Sequence, residues 1–264
     1  MKKKNCLNSK RLTRQEVQKL VATEGKFHAG FTEGFAQIYP TGYKNQPLVY
    51  ELPENRFLFI FDPQETGLGD KGDIYGGEYF LRWVRSLKRS QQDLARGCYS
   101  SATHWYYYSQ SKENLIPQIA FLISDLAVKL AIAPQQLDFS YSSLDIITQK
   151  AESYKAPANS SNLDYDPHSD LINDLYDNLV AYVGEVIRQR IKGEWKISDL
   201  SMDESSPCKY PYIRPESKKV LMPISVVWQE LIGLLPMNWR QETANEIRRY
   251  ARRNPIASTK LSLE

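Results

Sequence analysis

The stretch PLVYELPENRFLFIFD (47–62) predicts a β-hairpin, and the expected fold of the N-terminal part follows from it. Two runs rich in aromatic and β-branched residues flank a short turn at 53–55, a pattern typical of two paired strands. The second run, RFLFIFD (56–62), is apolar at nearly every position, which favours a strand covered on both faces. GFAQIYP (34–40) predicts another strand, so we expect a small sheet in this part of the chain.

Apolar residues that recur at helical spacing dominate much of the remaining sequence. They predict helices over about 14–23, 78–96, 115–132, 169–192, 225–231 and 242–252. The apolar stripe of the 169–192 helix is so broad that this helix must contact more than one neighbour.

Four further segments predict strands. THWYYYS (103–109) is aromatic, and residues 194–197 follow the end of the long helix. Residues 210–214 and 220–224 predict a hairpin, and each of its strands carries a proline. Because proline cannot donate to a strand ladder, we expect this hairpin at an edge.

These elements predict an α+β protein of two lobes. The first lobe, at about 13–110, is a small N-terminal sheet with helices, and residues 62–77 form a glycine-rich loop within it. The second lobe, at about 113–253, is a helix-rich unit with the edge β-hairpin. A polar excursion at 155–168, rich in Pro, Ser and Asn, interrupts the second lobe.

Composition points to an ordinary globular chain. The 264 residues are 42% hydrophobic and 25% charged, and 34 basic against 31 acidic side chains leave a net charge of +3. This near balance gives no whole-chain argument for a nucleic-acid or membrane partner. Three cysteines without close spacing favour a reducing, cytoplasmic setting. The most apolar window, 115–133, carries charges, so we expect no membrane span.

GLGDKG (67–72) fits the G-x-G-x-x-G pattern of dinucleotide-binding loops. In those loops the glycines lie at a helix N-terminus directly after a strand. Here the strand ends near Asp62 and the next helix starts well beyond the glycines, so we expect a surface loop without a nucleotide. Counted from Asp62, the loop also echoes a calcium loop, but Gln64 and Thr66 are weak substitutes at its third and fifth positions.

Histidine and cysteine spacing predicts no metal site. His28, His104 and His168 share no helix at ligand spacing, and none is paired with a nearby cysteine at such spacing. Cys98 and His104 allow a thiol–imidazole pair, which is the basis of one alternative function. An acidic cluster around His168 suits a helix N-terminus, because the helix dipole favours carboxylates there. We therefore expect no catalytic residue, no cofactor and no metal.

A basic strip marks the last predicted helix. Arg248, Arg249, Arg252 and Arg253 lie at positions i, i+1, i+4 and i+5, so they share one side of it. Such a strip attracts the phosphates of nucleic acid or lipid. It predicts a contact with nucleic acid or with another partner.

Aromatic content suggests a protein interface. The chain has 17 Tyr and 5 Trp, with Tyr106, Tyr107 and Tyr108 in a row. Protein interfaces favour such rings, so these three side chains are candidate partner contacts.

YVGE (182–185) followed by GEW (193–195) and Pro223 resembles the "Y-x-G-E … G-x-W … P" layout of uncharacterised bacterial α+β domains of unknown function. The resemblance covers about 137–232. Some of these domains occur among proposed immunity or accessory proteins, so the resemblance implies an interaction role. It implies no catalytic residue.

Considered as residues, the same motif predicts a scaffold. Glu185 falls away from the apolar stripe of its helix, so we expect it to face solvent or an edge. Gly184 costs helix stability, which indicates that a neighbouring backbone passes close to it. Trp195 is expected to pack on the hairpin.

The sequence therefore predicts a soluble, cytoplasmic, non-enzymatic protein-interaction or accessory protein of the immunity type, with an unknown protein partner. One alternative is a nucleic-acid-binding protein that uses the C-terminal basic helix. The other is an enzyme with its site at the 62–77 loop and the pair Cys98 and His104.

Overall fold

The computed structural model describes residues 11–38, 46–154, 167–198, 209–216, 219–233 and 236–252. Internal contacts divide the chain into Met1–Gln92, called unit 1, and Asp93–Glu264, called unit 2. Helices and antiparallel strands are both present, which confirms the expected α+β class. The lobes expected at 13–110 and 113–253 stay a prediction, because internal contacts do not test whether a segment folds alone.

Unit 1 is built on an antiparallel sheet in the order β1-β2-β3-β4. The strands are β1 (Lys26–Phe27), β2 (Leu48–Leu52), β3 (Arg56–Ile60) and β4 (Gly72–Gly76). The hairpin expected at 47–62 is confirmed, because β2 pairs with β3 from Leu48 and Ile60 to Leu52 and Arg56. Glu54 and Asn55 turn the chain with φ of 63° and 51°.

Helices cover both faces of this sheet. They are α1 (Arg14–Thr23), α2 (Ala29–Ile38) and α3 (Gly77–Ala95). Val17 of α1 is buried with Leu58 on one face. On the other face Phe57 contacts Phe31 of α2 and Phe80 of α3, at ring-centroid distances of 5.3 and 4.7 Å. Side chains alternate along β3, so its continuous apolar run serves two cores, and the expectation of a doubly covered strand is confirmed.

Two expectations in unit 1 were wrong. Residues 34–38, expected to begin a strand, belong to α2, and residues 39 and 40 lie outside the described part. The i, i+4 spacing of Phe31 and Phe35 explains the helix, since it places both buried rings on one face. The segment 63–77, expected to be loop throughout, contains β4, which completes the sheet beside β3.

Unit 2 is rich in helices. They are α4 (Ser101–Tyr108), α5 (Leu115–Lys129), α6 (Tyr141–Tyr154), α7 (Pro167–Ile191), α8 (Pro223–Ile232) and α9 (Trp239–Arg252). Short 3₁₀ turns at Lys112–Asn114 and Pro134–Gln136 precede α5 and α6. The helix α7 contacts α4, α5, α6, α8 and α9. Its broad apolar arc therefore has several neighbours, as the sequence predicts.

Two strand expectations in unit 2 need correction. Residues 103–109 do not form a strand, because most of them lie in α4. Ser100 and Thr103 form a capping box at the start of that helix. The edge hairpin consists of β5 (Glu194–Ile197) and β6 (Pro211–Arg214). The segment 220–224 adds only one bridge, between Leu221 and Ile213, before α8 begins. Proline at the first helical position suits a helix start, since its missing N–H is unneeded there.

Candidate functional site

The glycine-rich loop of unit 1 does not lead into a helix. Gly72 begins the strand β4, which lies between the loop and α3, and α3 begins at Gly77. Leu12 forms an isolated bridge with Gly72, and the Arg14 guanidinium donates to the Gly69 carbonyl at 2.9 Å. The loop is thus tied to the segment before α1, and the strand–turn–helix geometry of a dinucleotide loop is not formed.

A pocket of about 260 Å³ opens beside this loop, and we call it the Asp62 pocket. The residues that line it come from β3, β4, α3, the loop after β3 and the segments before α1 and β2. They are Arg11, Pro47, Phe59, Phe61, Asp62, Glu65, Asp73, Tyr75 and Trp83.

Strand alternation places most of these side chains on one face of the sheet. Phe59 and Phe61 are two residues apart, and Asp73 is the register partner of Phe59. Tyr75 follows two positions later on β4. The Trp83 ring of α3 lies 5.1 Å from the Phe59 ring and 5.3 Å from the Tyr75 ring, between centroids. Four of the nine lining residues are therefore aromatic.

Two carboxylates of the pocket are buried and differ in their bonding. Asp73, 7% exposed, accepts two hydrogen bonds from the Arg11 guanidinium, at 3.1 and 3.0 Å. Asp62 is 2% exposed, and its Oδ1 accepts the Gln64 backbone N–H at 2.7 Å. Its Oδ2 is buried and has no hydrogen-bond partner among the described residues. An unsatisfied buried charged group costs more than about 1–3 kcal/mol, so a donor is favoured at this oxygen.

The electrostatics of the pocket favour cations. Asp62, Glu65 and Asp73 supply three carboxylates against the one guanidinium of Arg11. Burial raises the pKa of the Tyr75 phenol to about 12, and the charge of Asp73 adds to that shift. Tyr75 is thus a neutral phenol at neutral pH. Aromatic faces carry negative potential, so the walls add to the attraction for positive charge.

Unit 2 has a second cavity, of about 230 Å³, beside α5 and α7. Asp177 of α7 accepts backbone N–H bonds from Gln110 and Ser111, at 2.9 and 2.6 Å. The Asn178 side chain donates to the Leu122 carbonyl and to the Asp125 carboxylate, at 2.8 and 2.9 Å. These bonds join α7 to α5 and to the segment before it, which is a structural role.

The three tyrosines predicted as partner contacts lie in α4. Tyr106 and Tyr107 are exposed, and the Tyr107 hydroxyl donates to the Arg96 carbonyl at 2.8 Å. Tyr108 is half-buried, its hydroxyl donates to Asp93 at 2.6 Å, and its ring packs on Trp228. The first two are accessible and the third supports the fold. The partner contact itself stays a prediction.

The basic strip of α9 is interleaved with acidic side chains. The Arg249 guanidinium forms ion pairs with Glu242 and Glu246, at 3.3 and 3.1 Å. Arg248 and Arg252 are exposed, and Arg253 lies outside the described residues. The neighbouring carboxylates reduce the positive potential along this helix. Nucleic-acid contact stays a prediction.

The Cys98 and His104 pair sits in packed structure. Cys98 is 2% exposed. The His104 ring stacks on Trp228 with centroids 4.2 Å apart, and its Nε2 lies 3.5 Å from an Asp93 oxygen. Most of the acidic cluster at 164–174 lies outside the described side chains. Within the side chains that the structure describes, no group of three or more His, Cys, Asp or Glu could hold a metal ion.

The YVGE motif of α7 packs against the Trp195 side chain of β5. Gly184 lies against the Trp195 indole, and a Cβ built on this glycine would be 2.1 Å from the ring. The expected close approach is confirmed, although a side chain rather than a backbone makes it. Glu185, expected to face solvent or an edge, does not face solvent, since it is 8% exposed. It accepts from the Trp195 indole at 2.7 Å and from Arg188, because the chain after α7 folds back over this face.

One alternative predicted from the sequence places a site at the 62–77 loop, which supplies Asp62, Glu65, Asp73 and Tyr75 of the pocket. The lining residues from other segments were not predicted as part of a site. The calcium-loop pattern does select Asp62 and Asp73, although for a different chemistry. Alternation along 56–62 could have shown that Phe59 and Phe61 share a face. No sequence pattern predicts that Arg11 or Trp83 lies near Phe59 and Phe61. Those contacts depend on the register of the sheet and on where α3 packs against it.

Comparison with known proteins finds no family model, no curated protein and no solved structure that matches this chain. The resemblance to uncharacterised bacterial domains over 137–232 stays an expectation. Among the described residues, no helix has both the length and the apolar character needed to cross a membrane.

Proposed function

We propose that this chain is a non-enzymatic protein-interaction module, and that the Asp62 pocket seats one side chain of its protein partner. The observation that supports this most is the buried Asp62 oxygen without a partner among the described residues, in an aromatic pocket. A binding protein retains such a costly group where a ligand completes its bonding.

The size of the pocket favours a side chain over a larger ligand. Sites that enclose drug-sized molecules measure about 300–1,000 Å³. The Asp62 pocket, at about 260 Å³, is smaller than that range. One inserted side chain, surrounded by aromatic rings, is a common anchor of protein interfaces.

The chemistry of the lining residues favours binding over catalysis. Among the lining residues that the structure describes, no serine, threonine, cysteine, histidine or lysine supplies a nucleophile or an imidazole base. Asp73 is engaged by Arg11, and the Tyr75 phenol stays neutral near neutral pH. The bonds among these lining groups therefore suit the binding of a ligand.

Affinity capture from the native cells tests this proposal. The full chain is compared with Asp62→Asn, which keeps an acceptor for the Gln64 N–H and removes the charge. Asp70→Asn is the matched control, because Asp70 belongs to the same loop and does not line the pocket. Any captured protein is identified by mass spectrometry and then titrated, purified, against all three chains.

We expect a partner that binds the wild type and Asp70→Asn alike and binds Asp62→Asn at least about 10-fold more weakly, or about 1.4 kcal/mol. Circular dichroism verifies that Asp62→Asn is folded. A partner that binds all three chains equally well would refute the use of this pocket.

A further inference from the structure

We infer that the side chain held by the Asp62 pocket is an arginine, whose guanidinium bonds to the Asp62 Oδ2. The inference rests on the proposed function and names the chemistry of its ligand. Three observations carry it: the bonding of Asp62, the position of Arg11 and the shape of the walls.

Asp62 has one oxygen without a donor among the described residues, and since this oxygen is buried from solvent, the carboxylate must turn toward the pocket before a ligand can bond to it. Its Oδ1 is occupied by the Gln64 N–H, whereas Oδ2 is buried without a partner among the described residues. The pocket is also rich in carboxylate, since Glu65 and Asp73 line it together with Asp62. A cationic donor would satisfy the oxygen and reduce the excess negative charge in one step.

Arg11 shows how this pocket holds a guanidinium. Its Nε and Nη2 donate side by side to the two oxygens of Asp73. Its guanidinium carbon lies 4.8 Å from the centre of the Phe61 ring. The chain itself thus combines a forked carboxylate bond with an aromatic face, and Asp62 offers a second carboxylate next to further rings.

The flat walls favour a guanidinium over an ammonium. A guanidinium is planar, weakly hydrated and able to stack on a ring while its edge donates to a carboxylate. A lysine ammonium is a compact, strongly hydrated point charge that loses more hydration when it enters such a site. Tyr75 and Trp83, whose rings line the pocket and are half-buried, supply the ring surfaces for a planar cation.

Calorimetric titration of the full chain with three capped tripeptides tests the inference. The peptides place arginine, lysine or citrulline between two glycines, and citrulline is the uncharged isostere of arginine. We expect the arginine peptide to bind at least about 10-fold more tightly than either of the others. Asp62→Asn should remove this preference, and Asp70→Asn should preserve it.

The peptide comparison uses the wild-type chain, so it does not depend on the folding of a variant. Equal affinity for the arginine and citrulline peptides, or no binding of the arginine peptide at millimolar concentration, would overturn the inference. Equal affinity for lysine and arginine would overturn the assignment to a guanidinium. If a captured partner still depends on Asp62 in any of these cases, the proposed function stands and only the arginine assignment fails.

Discussion

Replacing Gly184 with alanine perturbs the tightest packing of α7. The new Cβ would lie 2.1 and 2.2 Å from two ring carbons of Trp195, and the Pro223 side chain is 3.2 Å away. Carbon atoms in contact are normally about 3.5–4.0 Å apart, so the indole must move by more than ~1 Å. Its Nε1 is bonded to the buried Glu185 at 2.7 Å, and that bond cannot survive such a shift.

The loss of stability follows from three terms. A hydrogen bond to a charged group contributes about 1.5–3 kcal/mol, and forcing an extra methyl group into a packed core costs about 1–3 kcal/mol. Alanine favours a helix interior over glycine by up to about 1 kcal/mol, which offsets part of this loss. We therefore expect Gly184→Ala to lower the free energy of unfolding by about 2–4 kcal/mol.

Urea unfolding followed by circular dichroism measures this change as a shift of the midpoint at constant slope. Gly34→Ala in α2 is the control, because a Cβ there meets no atom within 4 Å. That substitution should raise stability by up to about 1 kcal/mol. If Gly184→Ala is as stable as the wild type, the indole does not fill this site and the explanation of the motif is wrong.

Glu185, Tyr75 and Asn178 lead to three further predictions about stability. Burial raises the pKa of Glu185, but the hydrogen bonds from Arg188 and Trp195 have a larger opposite effect. The pKa of Glu185 is therefore lower than that of an ordinary glutamate. The stability this carboxylate contributes is therefore present above an unfolded pKa of about 4.3 and is lost as pH falls through the folded value. In urea titrations from pH 7 to 3, the free energy of unfolding of Glu185→Gln should approach that of the wild type as the pH falls. A difference in unfolding free energy that stays constant with pH would contradict this. The pKa of Tyr75 is raised to about 12, so its contribution is intact below about pH 10 and lost as pH rises toward 12. Tyr75→Phe should flatten the fall in stability over this range, and an unchanged fall would exclude Tyr75 as its source. Asn178→Ala should lower the unfolding free energy by about 1–3 kcal/mol, because the Asp125 carboxylate loses its amide donor; thermal unfolding without a lower midpoint would count against this.

Local patterns predicted the parts of the fold that local physics controls. The hairpin at 47–62 follows from β-branched and aromatic content around a tight turn, and the long α7 follows from helical periodicity. The aromatic run 103–109 has the composition of a strand, but most of it is helical because a capping box starts the helix. Ser100 and Thr103 bond each other's backbone N–H groups at the start of α4, and that favours the helix.

Long-range contacts account for what the sequence did not predict. A helical wheel places Glu185 opposite the apolar stripe, but the wheel carries no information about the indole that folds back from β5. The Asp62 pocket likewise depends on contacts between residues that are distant in sequence. Arg11 and Asp73 are far apart in sequence, and they meet because Leu12 pairs with Gly72 beside β4. Such pairing depends on the register of the whole sheet.

We propose that the Asp62 pocket receives an arginine of a protein partner. A backbone and indole N–H NMR titration of the full chain with the arginine tripeptide would observe this binding at the pocket itself. We expect shifts at the Trp83 indole and at the amides of Asp62 and Asp73, with no such response to the citrulline peptide. Unchanged signals at these three positions, with shifts elsewhere or nowhere, would contradict it.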